Sequence, residues 1–494
     1  MNNIGFNNDK YIKLQSEKIK ERISSFGGKL YLEFGGKLFD DYHASRVLPG
    51  FCPDSKIKML LKFKEQAETI IVVSATAIEQ NKMRGDLGIT YDVDALRLVD
   101  AFNAVGIKVA GVAITQYQCQ PSADAFITRL NNLGIKAYRH YQIQGYPSNV
   151  KKIVSDEGFG KNEYIETTKP LVVVTAPGPG SGKMATCLSQ LYHDHKRGIK
   201  AGYAKFETFP IWNLPIKHPV NMAYEAATLD LNDVNMLDPY HLEATGETAV
   251  NYNRDIEIYP VLRAIFEKIY GECPYKSPTD MGVNMAGFCI DDDEAVCHAS
   301  KYEIVRRYYD ALCSKRNGLM GDDEIFRAEL LMNRVGIDEN YRKVIKAAMD
   351  KAEQTDEPAA AIELNDGRIV TGKTSNLLGA SAAALLNALK CLGDIDDSYL
   401  LLPVQVIEPI QKLKIENLGN RNPRLHADET LIALAISATT DPIANKALQQ
   451  ISKLKGAEVH VSVVVSSVDR NVFRKLGMNL TCHPVYDTKK FYHK

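Results

Sequence analysis

The stretch Leu171-Val-Val-Val-Thr-Ala-Pro-Gly-Pro-Gly-Ser-Gly-Lys-Met-Ala-Thr186 decides how the rest of the chain is read. Four apolar residues, three of them valine, make a buried strand. A loop with three glycines and two prolines follows, and Met184 to Arg197 has the pattern of a helix. Strand, glycine-rich loop, lysine and helix, in that order, are the parts of a phosphate-binding P-loop. Glycines let backbone N–H groups converge on an anion, a helix N-terminus adds partial positive charge, and a lysine at this position reaches terminal phosphates. Gly178, Gly180, Ser181 and Gly182 are therefore expected to supply backbone donors, and Lys183 to neutralise the group they hold. The match departs from the standard pattern at two positions. The leading glycine should stand where Pro177 is, with Gly178 one step late, and the Ser or Thr that would hold Mg²⁺ is replaced by Met184. Thr186 lies about 200° further round a helix and does not simply substitute. Met184 and Thr186 stay within the candidate site as the first turn of its helix, and anion or nucleotide binding follows more directly than metal-assisted hydrolysis.

Working outward, alternating strands and helices surround this stretch. Lys29 to Phe34, Thr69 to Ser74, Lys108 to Thr115, Lys136 to Tyr141 and Lys200 to Phe206 read as strands; residues 9–26, Val93 to Val105 and Ala123 to Leu133 read as helices. Gly106 and Gly134 follow two of these helices as C-terminal stops. The alternation predicts an α/β fold with a parallel sheet, P-loop- or Rossmann-like, whose ligands sit beyond the carboxyl ends of the strands. The first strand delivers Gly35, Gly36 and Lys37, followed by Asp40, Asp41, His43, Ser45 and Arg46. That loop and 177–183 both follow strands, so both are candidates for one crevice, with Lys37 and Arg46 at the anionic end of an acceptor. Lys205 and Glu207 leave the strand after the P-loop helix; Glu207 is the first candidate for metal or water positioning, and a surface ion pair between the two is the structural alternative.

Beyond Phe209 the texture changes. Pro210, Pro215 and Pro219 break a segment holding the only tryptophan, Trp212, which reads as a linker folded onto the first domain. The run Asp230-Leu-Asn-Asp-Val-Asn-Met-Leu-Asp-Pro-Tyr-His-Leu-Glu243 is dense in oxygen ligands, making Asp230, Asp233 and Asp238 candidates for Mg²⁺ rather than zinc, or equally for turns and caps. Residues 255–350 are mostly helical, apart from an irregular Pro274 to Ala295. Cys289, Cys297 and His298 there lack a zinc spacing. The organisation expected is an α/β phosphate-binding domain over 1–220, a mostly helical middle region over 221–355 and an α+β domain over 356–494.

The C-terminal part contains Gly367-Arg-Ile-Val-Thr-Gly-Lys-Thr374, which fits the letters of the P-loop pattern better than the first loop does. Its setting is wrong: Ala359 to Leu364, Asn365-Asp-Gly367 and Arg368 to Thr371 read as a β-hairpin, so the middle residues are strand. The Ala-rich helix Ser375 to Leu392 after a hairpin resembles, in architecture only, the start of a nucleoside deaminase domain. The zinc residues of deaminases are missing, with Gly379-Ala-Ser381 in the helix and no CxxC in the chain. Tyr399 to Ile407 and Glu458 to Ser466 read as strands, His426 to Thr439 and Pro442 to Leu454 as helices, with a short tail to follow.

A chain of 494 residues with net charge −1 advertises neither a nucleic-acid partner nor an acidic membrane. No apolar run approaches the ~20 residues of a membrane span, the N-terminus lacks a signal-peptide pattern, and nine dispersed cysteines read as reduced thiols. The expected setting is the cytoplasm, with self-association into a homo-oligomer.

With Glu33-Phe-Gly-Gly-Lys37, His43-Ala-Ser-Arg-Val-Leu-Pro-Gly50, the loop Ala176 to Thr186 and Lys205-Phe-Glu-Thr-Phe-Pro-Ile-Trp-Asn213 in view, the chain resembles, over its full length, a bacterial family of conserved proteins of unknown function found in Firmicutes and actinobacteria. The resemblance implies a multi-domain α/β protein and supplies no activity. Some members carry the label of ATP-dependent zinc protease. The sequence has no HExxH, its only His-x-Glu is His241-Leu-Glu243, and only the ATP half of that label agrees with Lys183. The leading expectation is an ATP-dependent enzyme of phosphoryl transfer or ligation acting on a small metabolite, with Mg²⁺ less secure. The alternatives are a non-catalytic binder of a phosphorylated metabolite and a structural oligomer whose loop is empty.

Overall fold

The computed structural model describes residues 4–84 and 87–487. Ile4–Glu225 and Asp233–Cys297 make one compact unit; Ala226–Asn232 and the chain from His298 onward make a second. Residues 221–355 are thus apportioned between the two.

In the first unit the strands are β1 (Leu30–Phe34), β2 (Ala67–Ser74), β3 (Met83–Arg84), β4 (Ile89–Thr90), β5 (Lys108–Tyr117), β6 (Ala137–Tyr141), β7 (Leu171–Thr175), β8 (Gly202–Phe206), β9 (Asn235–Leu237), β10 (Val250–Tyr252) and β11 (Gly282–Val283). Seven of them form one sheet in the order β11-β8-β1-β7-β2-β5-β6, parallel at every pairing, while β3–β4 and β9–β10 are antiparallel hairpins. Every residue of β1 and β7 is buried, as expected where both faces of a parallel sheet are covered. Tyr31, Val172, Val174, Ile70 and Val72 pack with Leu188 and Leu191 of the helix Lys183–Lys196 and with Leu262, Ile265 and Phe266 of Asn253–Tyr270. Their neighbours Leu32, Phe34, Ile71, Val73 and Val173 are buried on the opposite face.

The topology defines one crevice at the carboxyl ends of the strands. From β1 the chain crosses to β2 and builds outward through β5 and β6, then returns to insert β7 between β1 and β2. It next passes to β8 on the far side of β1. Connections leaving the adjacent strands β1 and β7 therefore run in opposite directions, which opens a crevice at their carboxyl ends. The segments after β1, β7 and β8 all emerge at that end.

The second unit carries β12 (Ala359–Glu363), β13 (Ile369–Lys373), β14 (Glu458–Val461) and β15 (Asn479–Cys482), in the order β13-β12-β14-β15. β12 is antiparallel to both neighbours and β14 is parallel to β15. Period-two alternation in β12 sends Ala360 and Ile362 toward the helix Ala380–Leu392 and Ala361 toward Lys343–Thr355. The second P-loop-like string is the β12–β13 hairpin, and a Cβ on Gly372 would stand 2.2 Å from the backbone nitrogen of Ala384, so this glycine serves helix packing. Tyr399 to Ile407, expected as a strand, instead contributes to a helix Val404–Lys412 that begins just after Pro403. The expected tail contains a helix, Ser467–Lys475, and the edge strand β15. In the first unit, the expected irregular stretch Pro274 to Ala295 supplies the edge strand β11.

The helix after β7 is tied down at its far end. Asp194 is fully buried and accepts from Lys29 Nζ at 2.7 Å, Tyr31 Oη at 2.8 Å and Tyr164 Oη at 2.7 Å. Removing the charge leaves Lys29 buried without its counter-ion, a loss of about 3 kcal/mol or more. Asp194→Asn is expected to lower the urea midpoint of the first unit accordingly, read by the emission of Trp212; an unchanged midpoint would contradict the anchoring role.

Candidate functional site

The turn between β7 and its helix is shaped by close packing. A Cβ on Gly178 would lie 2.2 Å from the Tyr91 hydroxyl, and one on Gly182 would lie 3.1 Å from Thr115. Gly180 and Gly182 have φ of 74° and 88°, left-handed values that glycine adopts without strain. Thr115 Oγ1 donates to the Ser181 carbonyl at 2.6 Å, and the Ser181 hydroxyl donates to the Gly178 carbonyl at 2.7 Å. Left-handed residues alternating with right-handed ones are the conformations from which anion-binding nests of N–H groups are built. Among the described residues, the amides of Gly178, Gly180, Ser181, Gly182, Lys183 and Met184 reach no protein acceptor; the first bond closing the helix is from the Thr186 amide to the Gly182 carbonyl.

Lys183 opens the helix and is half-buried. Among the described residues its ammonium has neither a hydrogen bond nor an ion pair. Burial lowers its pKa from the ordinary lysine value; Glu33 offsets this in part, while Lys205 and Arg254 add to it. Met184 packs against the core beneath the sheet, and the buried Thr186 returns its hydroxyl to the Gly182 carbonyl at 3.0 Å. Neither offers a ligand to a cation in the turn.

Beside β7, the segment after β1 is held by a buried pair, Lys56 Nζ to Asp41 Oδ2 at 2.6 Å. Burial works against the Asp41 charge, but Lys56 and the Ala44 amide outweigh it, and the carboxyl lies below its usual range. Asp41 also caps the helix Tyr42–Val47, which carries Arg46. Gly35 donates to the Phe206 carbonyl at 3.0 Å, leaving no room for a Cβ, whose distance from that oxygen would be 2.9 Å. Gly36 is left-handed next to Lys56, and Lys37 is exposed.

On the other side of β1, Lys205 and Glu207 leave β8 as a buried cluster rather than a surface pair. Lys205 Nζ bonds Glu207 Oε1 at 2.6 Å and also Asp255 Oδ2. Burial opposes the charge of Lys205, but Asp255, Glu207 and Glu33 raise its pKa above the lysine range. One ammonium thus serves several carboxylates. Burial, with Asp255 adding, pushes Glu207 up to about 7 against the pull of Lys205. Glu33, 7% exposed, accepts the Tyr203 hydroxyl at 2.6 Å. Glu207 also lines a cavity of about 160 Å³ with Arg22, Trp212, His241, Thr279 and Met285. Arg22 is bound to Asp280, yet its Nε is buried with no acceptor among the described residues. Such a wall combines a proton carrier poised near neutrality with an aromatic face and a spare donor.

The three aspartates expected around Mg²⁺ are not gathered. Asp230 belongs to the second unit. Asp233 is taken by Arg254, with Nε to Oδ1 at 2.6 Å, and Asp238 caps Pro239–Thr245 while accepting the Thr279 amide and hydroxyl. Among the described residues, the one trio with metal-ligating atoms in mutual reach is His218, Asp293 and Cys297. There the Val220 amide donates to His218 Nδ1 at 3.3 Å, which places the proton on Nε2, and Nε2 lies 2.9 Å from Asp293 Oδ1. A metal would have to displace that proton.

Sequence reasoning missed Glu33, Asp255, Arg22 and the cavity. A glutamate inside the apolar run Leu-Tyr-Leu-Glu-Phe was the signal available for Glu33, since a charge in a buried strand requires a partner. Asp255 and Arg22 come from distant helices and left none.

The protein-family model described as Domain of unknown function DUF1846, N-terminal, matches residues 4–336, and its C-terminal counterpart matches residues 340–492. The chain is 56% identical over 489 residues to a UPF0371 protein of Streptococcus thermophilus, covering 99% of each chain. It is 56% identical over 494 residues to a UPF0371 protein of Streptococcus pyogenes, covering 100% of each. A UPF0371 protein of Streptococcus pneumoniae is 56% identical over 489 residues, again 99% of each. Matched along both of its parts, the chain belongs to the DUF1846 (UPF0371) family of conserved bacterial proteins.

Proposed function

We propose that this protein binds the phosphoryl group of a small-molecule ligand in the 178–184 turn, with Lys183 as its counter-charge. The observation that carries the reading is the coincidence, among the described residues, of unpaired amides in a turn with two left-handed glycines and a lysine without a hydrogen bond or ion pair, at the carboxyl-end crevice of a parallel sheet. Phosphate oxygens would satisfy both, as anions do at helix N-termini. In this reading the remainder of the ligand extends along the ends of β1 and β8 toward Glu207. That carboxyl could take or give a proton near neutrality during phosphoryl transfer or ligation. A nucleoside triphosphate is one such ligand. The packing of Met184 and the inward bond of Thr186 deprive the turn of the usual Mg²⁺ ligand, which favours a second reading, binding of a phosphorylated metabolite without turnover. Product analysis with ATP and phosphorylated sugars separates the two.

Calorimetric titration tests the binding. Inorganic phosphate and ATP, each with and without Mg²⁺, are expected to give saturable heats that Lys183→Ala weakens by about tenfold or more, the size of one charge-assisted hydrogen bond. Equal heats in wild type and variant would remove the claim.

Glu207 faces Lys205 on its own strand, Asp255 on the helix Asn253–Tyr270, Glu33 on β1 and the hydroxyls of Tyr224 and Tyr252. Its raised pKa means that the folded protein holds this proton more tightly than the unfolded chain does. The stabilisation it gives is therefore complete below its ordinary value of 4.5 and is lost as pH rises through about 7. Because Trp212 shares the cavity and is the only tryptophan, its emission is expected to titrate with a midpoint near 7 and to lose that transition in Glu207→Gln. A flat wild-type profile, or the same transition in the variant, would contradict the assignment.

A further inference from the structure

The second unit contains two thiols whose placement has no use in anion binding. Cys313 lies near the end of the helix Asp293–Arg316, and Cys482 ends β15, the outermost strand of its sheet. They are 9% and 2% exposed, and their sulfur atoms are 3.6 Å apart. The Cys313 thiol also faces the Cys482 carbonyl at 3.3 Å. On the other side, Arg470 Nη2 from the helix Ser467–Lys475 lies 3.7 Å from Cys482 Sγ. Each sulfur thus has the other in van der Waals contact, and one of them has a guanidinium beside it.

From this juxtaposition we infer that Cys313 and Cys482 form an oxidisable dithiol, a modification site at which a small peroxide converts the contact into a disulfide joining the helix to the edge strand. The two sulfurs play unequal parts. Cys482 has the Cys313 thiol and the Arg470 guanidinium beside it, both of which favour its thiolate; burial and Asp310 act the other way, and the net pKa is lowered to about 6. The Cys482 sulfur and burial hold Cys313 protonated. Thiolates are the reactive form toward peroxides. The Cys482 thiolate attacks one peroxide oxygen; an S–O bond forms, the O–O bond breaks, and the departing hydroxide takes a proton to leave as water. Cys313 then gives up its proton and attacks the Cys482 sulfur, the S–S bond forms, and the S–O bond breaks with release of a second water. Two electrons pass from the dithiol to hydrogen peroxide. Joining them closes the sulfurs from 3.6 Å to about 2.05 Å, and a thiol such as glutathione or dithiothreitol reverses the change by exchange. The crosslink would close a long loop and fasten β15, which is paired on one side only.

The test uses the full-length protein, reduced, exposed to hydrogen peroxide at a few equivalents, then unfolded and alkylated before non-reducing digestion and mass spectrometry. Expected is a Cys313–Cys482 crosslinked peptide lighter by about 2 Da than the sum of the two thiol peptides, cleaved by dithiothreitol, with the other cysteines alkylated. The thermal midpoint of the oxidised protein should rise by several degrees. In Cys313→Ser, Cys482 should stop at the sulfenic acid and be captured by dimedone. In Arg470→Gln, crosslinking should slow several-fold while both thiols stay present. Alkylation of both Cys313 and Cys482 after peroxide, crosslinks formed elsewhere in preference to this one, or an undiminished rate in Arg470→Gln alongside a dimedone-silent Cys482 in Cys313→Ser would overturn the inference.

Discussion

The first unit is built around a turn whose own donors find no acceptors among the described residues. Buried or partly buried amide groups ordinarily find a partner, because an unmet N–H costs roughly what a lost hydrogen bond does. In the 178–184 turn Tyr91 packs against Gly178 and Thr115 against Gly182, and Gly180 and Gly182 take left-handed conformations. The helix that continues from the turn is held at its other end by Asp194, so the turn cannot relax by letting the helix slide. The proposed anion would therefore meet these donors without rearranging the turn.

The charge distribution around it is graded. Lys205 is surrounded by Asp255 and Glu207 within bonding distance, whereas Lys183, on the next element, has Glu33 only as a more distant compensator. Lys205 organises the carboxylates, whereas Lys183 has neither a hydrogen bond nor an ion pair among the described residues. Glu207, competing with Asp255 for a single ammonium, is left with a proton that it can exchange near neutrality, and it stands at the wall of the cavity containing Trp212.

Much of this was legible in the chain, for identifiable reasons. Valine-rich β7, glycines at 180 and 182 and a following helix gave the turn, since strand burial and left-handed geometry both leave marks on residue type. The rejection of 367–374 as a phosphate loop also followed from local pattern, through the Asn-Asp-Gly turn of a hairpin. Other features left no local mark. Tyr399 to Ile407 is rich in strand-forming residues, but Pro403 sets the first turn of a helix and packing of Ile407 decides the outcome. β11 is two residues long and exists only because β8 offers an edge. Asp230, Asp233 and Asp238 looked like ligands by density alone; their fates as a residue of the other unit, an arginine partner and a helix cap depend on contacts far apart in sequence. The Lys205 cluster draws Asp255 from a helix 50 residues away, beyond the reach of any spacing rule.

The account rests on the amides of the turn being a seat for tetrahedral oxyanions. Crystals soaked in tungstate, a heavy-atom analogue of phosphate, test this most directly by anomalous difference density. The account predicts a peak within hydrogen-bonding reach of the amides of Gly180 to Met184, with the Lys183 ammonium turned toward it. Tungstate bound elsewhere while this turn stays without density, or Lys183 directed away from the anion, would contradict it.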